Sequence, residues 1–155
     1  MIKQKYQKIN HWVLIPIQFN PVSNKVFPPE CPNKDWKMYK SSCYAYPKNL
    51  YKTWADAEAF CKTETGAHLA SIHSEDELKF VQSNFPQDLW LGASDIKKEG
   101  TFEWSDGSPW DFSAWRSGEP NEANGNEDCL EGNWDDLKWN DRNCDHKRMF
   151  LCKLG

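Results

Sequence analysis

Apolar residues recur at two different periods along this chain, and each change of period marks an element. Trp54, Ala57, Phe60 and Cys61 repeat at helical spacing after Thr53, with Asp56 three residues on, until Gly66 stops the run. A hydroxyl residue followed at the third position by an acid satisfies the first free amides of a helix, so a first helix is predicted there. Ser74 with Glu77 repeats the signal, and Leu78, Val81 and Phe85 keep the spacing up to Pro86, which predicts a second helix. Period two governs Trp36–Tyr39 and Ser42–Tyr46, two short strands joined by a polar turn at Lys40-Ser41. Leu89-Trp90-Leu91 reads as a buried strand, Thr101–Trp104 alternates and ends at the turn Asp106-Gly107, and Met149–Cys152 recovers strand character.

Between Ser105 and Asn133 no period is sustained, and Gly, Pro, Asn, Asp, Glu and Trp dominate. A loop this long in a compact domain is usually functional or wrongly assigned. At the other end, Pro28, Pro29 and Pro32 bracket Cys31 and favour extended backbone, so a domain is expected over 31–155 with an N-terminal tail over 1–30. The 155 residues leave room for one domain and a short appendage. In the tail, Lys3, Lys5 and Lys8 precede the apolar Trp12–Ile17, which is interrupted by Pro16. That pattern fits a degenerate or truncated signal segment as well as an ordinary extended tail, and it is too short to span a membrane.

Composition narrows the chemistry. The six cysteines are an even set without Cys-x-x-Cys pairs or nearby zinc-module histidines, which points to disulfides and an oxidising, extracellular compartment. Lys3, Lys5, Lys8 and Lys25 against Glu30 make residues 1–30 net +3, so with an overall charge of −4 residues 31–155 carry −7, a balance that argues against nucleic acid as partner. From Asp95 to Asp141 there are thirteen acidic residues against four basic ones. Carboxylates crowded among aromatics are costly unless a cation sits among them, and hard oxygen ligands suit calcium. Taken singly, Glu119-Pro120-Asn121, Glu127-Asp128-Cys129 and Trp139-Asn140-Asp141 could equally be loop polarity.

Together, Trp90-Leu91-Gly92, Glu119-Pro120-Asn121, Trp139-Asn140-Asp141 and the six cysteines, in this order and spacing, resemble the long form of the C-type lectin domain, with the mannose-type Glu-Pro-Asn motif. The resemblance covers residues 31–155. It implies an α+β fold with two helices packed on small antiparallel sheets and a long calcium-binding loop region. It also implies disulfides Cys31–Cys43, Cys61–Cys152 and Cys129–Cys144. The second would close a loop of roughly ninety residues, worth on the order of 4 kcal/mol in a chain-entropy treatment.

By the same resemblance, Glu119, Asn121, Glu127, Asn140 and Asp141 hold the principal calcium and bind the sugar, and Pro120 is preceded by a cis bond. Asp95, Glu99, Glu122, Glu127 and Asp128 make an auxiliary calcium site, with Glu122 standing where some members place a shorter residue. The implied function is calcium-dependent binding of mannose-type sugars: mannose, N-acetylglucosamine and glucose, with equatorial 3- and 4-hydroxyls, and fucose, whose corresponding hydroxyls are similarly arranged. The alternative is a domain of this fold that acts through protein contact. Either is a secreted or extracellular protein rather than an enzyme, because acids committed to calcium are held ionised and unfit for proton donation. A single shallow sugar site binds weakly, so a homo-oligomer or a larger receptor is expected to supply avidity. His68, His73 and His146, and the tryptophans Trp104, Trp110, Trp115 and Trp134, are read as packing or surface residues.

Overall fold

A computed structural model describes residues 30–133 and 138–155, and the paired backbones of two strands in the tail. Those strands, β1 (Tyr6–Ile9) and β2 (Val13–Pro16), form an antiparallel pair. The other calls on residues 1–29, the reading of Pro28 and Pro29 and that of Trp134 lie outside the described residues.

Two small sheets and two helices make up the rest. β3 (Lys37–Tyr39) and β4 (Ser42–Ala45) form the predicted hairpin, with Lys40 at positive φ in the turn. Helix α1 (Trp54–Phe60) starts where Thr53 Oγ1 accepts from the Asp56 amide at 3.3 Å. It runs on as one wider, π-helical turn over Cys61–Thr65, and Gly66 closes it in the left-handed conformation that its missing Cβ permits. A two-residue strand, β5 (His68–Leu69), follows. Helix α2 (Glu75–Asn84) is capped by Ser74, whose hydroxyl accepts from the Glu77 amide at 3.2 Å. Glu77 itself turns back to accept from the His73 amide at 2.7 Å, which completes the reciprocal cap one residue early.

β6 (Leu89–Ser94) is buried along almost its whole length and forms the centre of the second sheet. It pairs with β7 (Glu103–Trp104), β8 (Cys129–Asn133) and, in parallel, β10 (Met149–Phe150), while β9 (Lys138–Arg142) pairs with β8. The last strand expected from the sequence divides in two. At Leu151 the chain leaves this sheet, and β11 (Cys152–Leu154) enters the first one between β4 and β5. β8 corrects the expectation of unbroken loop up to Asn133. Leu130 is its one large apolar residue, so its strand state comes from pairing on both edges and not from its own pattern.

The sheet of β6, β8 and β9 separates two cores. Leu89, Leu91, Leu130 and Trp139 face one, with Leu78 and Val81 of α2. Trp90, Cys129 and Phe150 face the other, with Trp54, Ala57 and Cys61. The disulfides are Cys31–Cys43, Cys61–Cys152 and Cys129–Cys144, the three pairs the resemblance implied. No described helix is long and apolar enough to cross a membrane.

Candidate metal and sugar site

The long loop is tied to β9 before it reaches its acidic part. The Trp139 amide donates to Ala114 O at 2.8 Å and the Arg116 amide to Trp139 O at 2.9 Å, so residues 114–116 run beside the strand. Trp110, Phe112 and Trp115 pack around the Trp139 ring, which accounts for these aromatics as core residues. Glu119 follows three residues later and donates its amide to Arg116 O. The Glu119–Pro120 bond is cis.

Asp141 continues the buried stripe of Trp139 two residues earlier and is fully enclosed. A buried carboxylate is costly unless donors meet it. Here the Asn121 amide at 3.0 Å and the Glu122 amide at 2.8 Å do so, which clasps the Glu-Pro-Asn segment to the end of β9. Glu122, at positive φ, leads into a 3-10 turn over Ala123–Gly125. Across that turn Glu127 Oε2 accepts from the Ala123 amide at 3.1 Å, and the Glu127 amide donates to Glu122 Oε1 at 3.3 Å. The Asn140 side-chain amide donates to the carbonyl of Asp141. Glu119, Asn121, Glu127, Asn140 and Asp141 thus meet at one junction of loop and strand.

The junction is short of positive charge. Burial, with the Asp141 carboxylate beside it and Glu127 adding, pushes Glu119 above the usual carboxylate range, against the opposing pull of Arg116. Its Oε2 is buried without a hydrogen-bond partner. Arg116 is the residue here that no motif in the sequence signalled.

A second acidic group lies alongside. Asp95, Glu122 and Asp128 bring carboxylate oxygens within 4.8 Å of one another. The Asp95 amide donates to Asp128 O, and one Asp95 oxygen accepts from the Gly100 amide at 2.8 Å. The other, Oδ1, is buried and unpartnered. Burial and the charges of Asp128 and Asp141 push Asp95 up despite the Gly100 bond; burial, then Glu99, Asp128 and Asp95, push up Glu122. Glu99 stands outside the group of three but within reach of Glu122 electrostatically. Two orphaned buried oxygens among carboxylates, with neither His nor Cys in the group of three, form a donor set that fits a hard divalent cation such as calcium.

A model of the lectin C-type domain matches residues 50–154. The chain belongs to the C-type lectin family. Among its lectin relatives, a protein named "Lectin" from Pleurodeles waltl is 42% identical over 143 residues, covering 84% of this chain and 82% of that one. Among solved structures, the cow C-type carbohydrate-recognition domain of CD23, crystallised in the presence of a GlcNAc2Man3 oligosaccharide, has a TM-score of 0.75 and 32% identity, over 81% of this chain and 95% of that one. A calcium-independent type II antifreeze protein has the same TM-score with 30% identity, over 81% and 95%. The C-type lectin fold is therefore shared by a carbohydrate-recognition domain and a calcium-independent antifreeze protein, so the fold alone does not decide what this domain binds.

Those of the expected packing or surface residues that lie among the described ones, His68, His73, His146, Trp104, Trp110 and Trp115, take such places. His68 pairs with Glu58 and His73 with Asp111, while His146 is exposed. Trp104 is buried, and Trp110 and Trp115 are partly buried against the same core.

Proposed function

We propose that the domain binds mannose-type sugars in a calcium-dependent manner, through Glu119, Asn121, Glu127, Asn140 and Asp141. The observation that carries this reading is the clasp of Asn121 and Glu122 on buried Asp141, beside which Glu119 keeps one carboxylate oxygen, Oε2, buried and unpartnered. These five residues would hold the principal ion. Asp95, Glu122 and Asp128, with Glu99 near, would hold an auxiliary one, bracing the loop from below. Bound calcium would supply a Lewis-acidic centre at which two sugar hydroxyls replace water.

The chain's own residues then decide which sugar fits. Each hydroxyl has a proton to donate and a lone pair to fill, and one acid with one amide satisfies both. Glu119 with Asn121 serves one hydroxyl and Glu127 with Asn140 the other, while Asp141 keeps the loop in place. Hydrogen bonds to the ionised acids are the stronger ones. The order acid-then-amide fits neighbouring equatorial hydroxyls such as the 3- and 4-hydroxyls of mannose, N-acetylglucosamine and glucose; fucose, which offers a similarly arranged pair, is a ligand as well, and galactose, with an axial 4-hydroxyl, is not. The three disulfides suit an extracellular setting. Binding, with no bond broken, is the activity.

Competition for immobilised mannose tests the selectivity. Mannose should displace the protein at concentrations at least tenfold below galactose. Exchanging the pair, Glu119→Gln with Asn121→Asp, preserves charge and should narrow or reverse that gap. Galactose competing as well as mannose against the unaltered protein would refute the assignment.

A further inference from the structure

The first sheet carries a concavity that the calcium-site reading does not use. About 520 Å³ in volume, it lies between the turn before β3, the segment after β4 and the end of α2. Lys34 and Lys37 reach it from one stretch of chain and Lys48 from another, and Asp35 is the one acid in its wall. A local excess of positive charge is notable in a domain whose residues 31–155 carry −7. No ion pair among the described residues engages any of the three lysines.

The walls are held in place. The Asp35 amide donates to Asn33 Oδ1 at 2.9 Å and the Trp36 amide to Asn33 O at 3.2 Å, which shapes the turn that presents Lys34. The Cys31–Cys43 disulfide fastens that turn to β4. Lys37 Nζ donates to Asn84 Oδ1 at 3.1 Å and stands 5.9 Å from the Phe85 ring, so its ammonium is directed by α2. Tyr46 meets Phe85 edge to face at 6.0 Å and leaves a half-buried aromatic wall.

We propose that this concavity is a second, calcium-independent binding site for a sulfated saccharide. Ammonium groups on flexible stems are point-charge partners for sulfate, and three converging on one concavity focus its potential. The Tyr46 ring offers an apolar wall to the face of a sugar ring, and Asp35 offers acceptors to its hydroxyls. The volume is in the range that holds a drug-sized molecule. A phosphatidylserine surface would present charge without hydroxyls for Asp35, which favours the saccharide.

The test uses the full disulfide-bonded chain in calcium chelator, with a fluorescent heparin-derived octasaccharide as probe and anionic phosphatidylserine vesicles as comparison. The saccharide should bind, and bind more weakly as salt rises. Lys34→Gln, Lys37→Gln and Lys48→Gln together should weaken it at least tenfold, with melting temperature and calcium-supported mannose retention unchanged. Neutralising Lys3, Lys5, Lys8 and Lys25 in the tail, or Lys79 and Lys97 elsewhere on the surface, should leave it within twofold. Absence of saccharide binding, full binding by the triple variant, loss on changing the tail instead, or binding to vesicles alone would each overturn the proposal. Failure of the mannose reading would show separately, as loss of mannose retention with octasaccharide binding intact.

Discussion

Gly92 sits where β6 passes under the residue before Ala70, and a Cβ built on it would lie 2.5 Å from the carbonyl oxygen of Leu69. Its backbone is bonded on both sides, the amide to Ala70 O and the carbonyl to the Ser105 amide, so the strand cannot retreat without breaking a pair. Gly92→Ala should therefore lower stability by about 1–3 kcal/mol through overpacking, read as a fall in urea midpoint. An unchanged midpoint would show that the strand shifts freely. The Trp-Leu-Gly motif could be named from the sequence, but the reason for its glycine could not, because Leu69 is 23 positions away. The same holds at the site. The acids and amides of the long loop stood out by type and order. Their fastening did not, since the amides that clasp Asp141 belong to residues 19 and 20 positions earlier.

At the scale of elements, both helices were legible because Thr53, Ser74 and Gly66 state their ends in local chemistry. β5 and β8 were not, because His68-Leu69 and Cys129–Asn133 take their state from pairing with Cys152–Leu154 and Leu89–Ser94, distant in the chain. How α2 joins the first sheet also emerges only in three dimensions. Lys153 of β11, nearly enclosed, donates to Glu77 Oε1 at 2.7 Å, and the Tyr44 hydroxyl of β4 donates to the same oxygen. Burial pushes Glu77 up, but Lys153, Tyr44 and the His73 amide outweigh it and hold its carboxyl below the usual range. Burial, then the bond to Glu77, pushes the Tyr44 phenol well up. A carboxylate lowered by folding contributes stability that is complete above its unfolded value of about 4.3 and is lost as pH falls through the folded one. Glu77→Gln should thus cost about 3 kcal/mol at neutral pH, where it strands a buried ammonium. The gap to the unaltered protein should shrink as pH drops below about 4. Urea midpoints of both proteins from pH 7 to pH 3 check this, and a gap that stays constant would contradict it.

Over the whole molecule, disulfides tie the framework elements to one another and to the base of the acidic region. Cys61–Cys152 joins α1 to the last strand, and Cys129–Cys144 closes the base of the acidic region where β8 begins. Between them the second sheet carries Asp95, Cys129 and Asp141 at the edges of its strands, so the loop acids converge on a rigid frame. The antiparallel sheets and helix pair place the chain in its family, yet that fold also serves a calcium-independent antifreeze protein. Calcium-dependent sugar binding consequently turns on the acids themselves. Passage over mannose-agarose tests it most directly. With calcium present the protein should be retained, and a chelator should release it in full, because Glu119, Glu127 and Asp141 would then face one another without a cation. Flow-through in calcium, or retention that survives the chelator, would contradict the account.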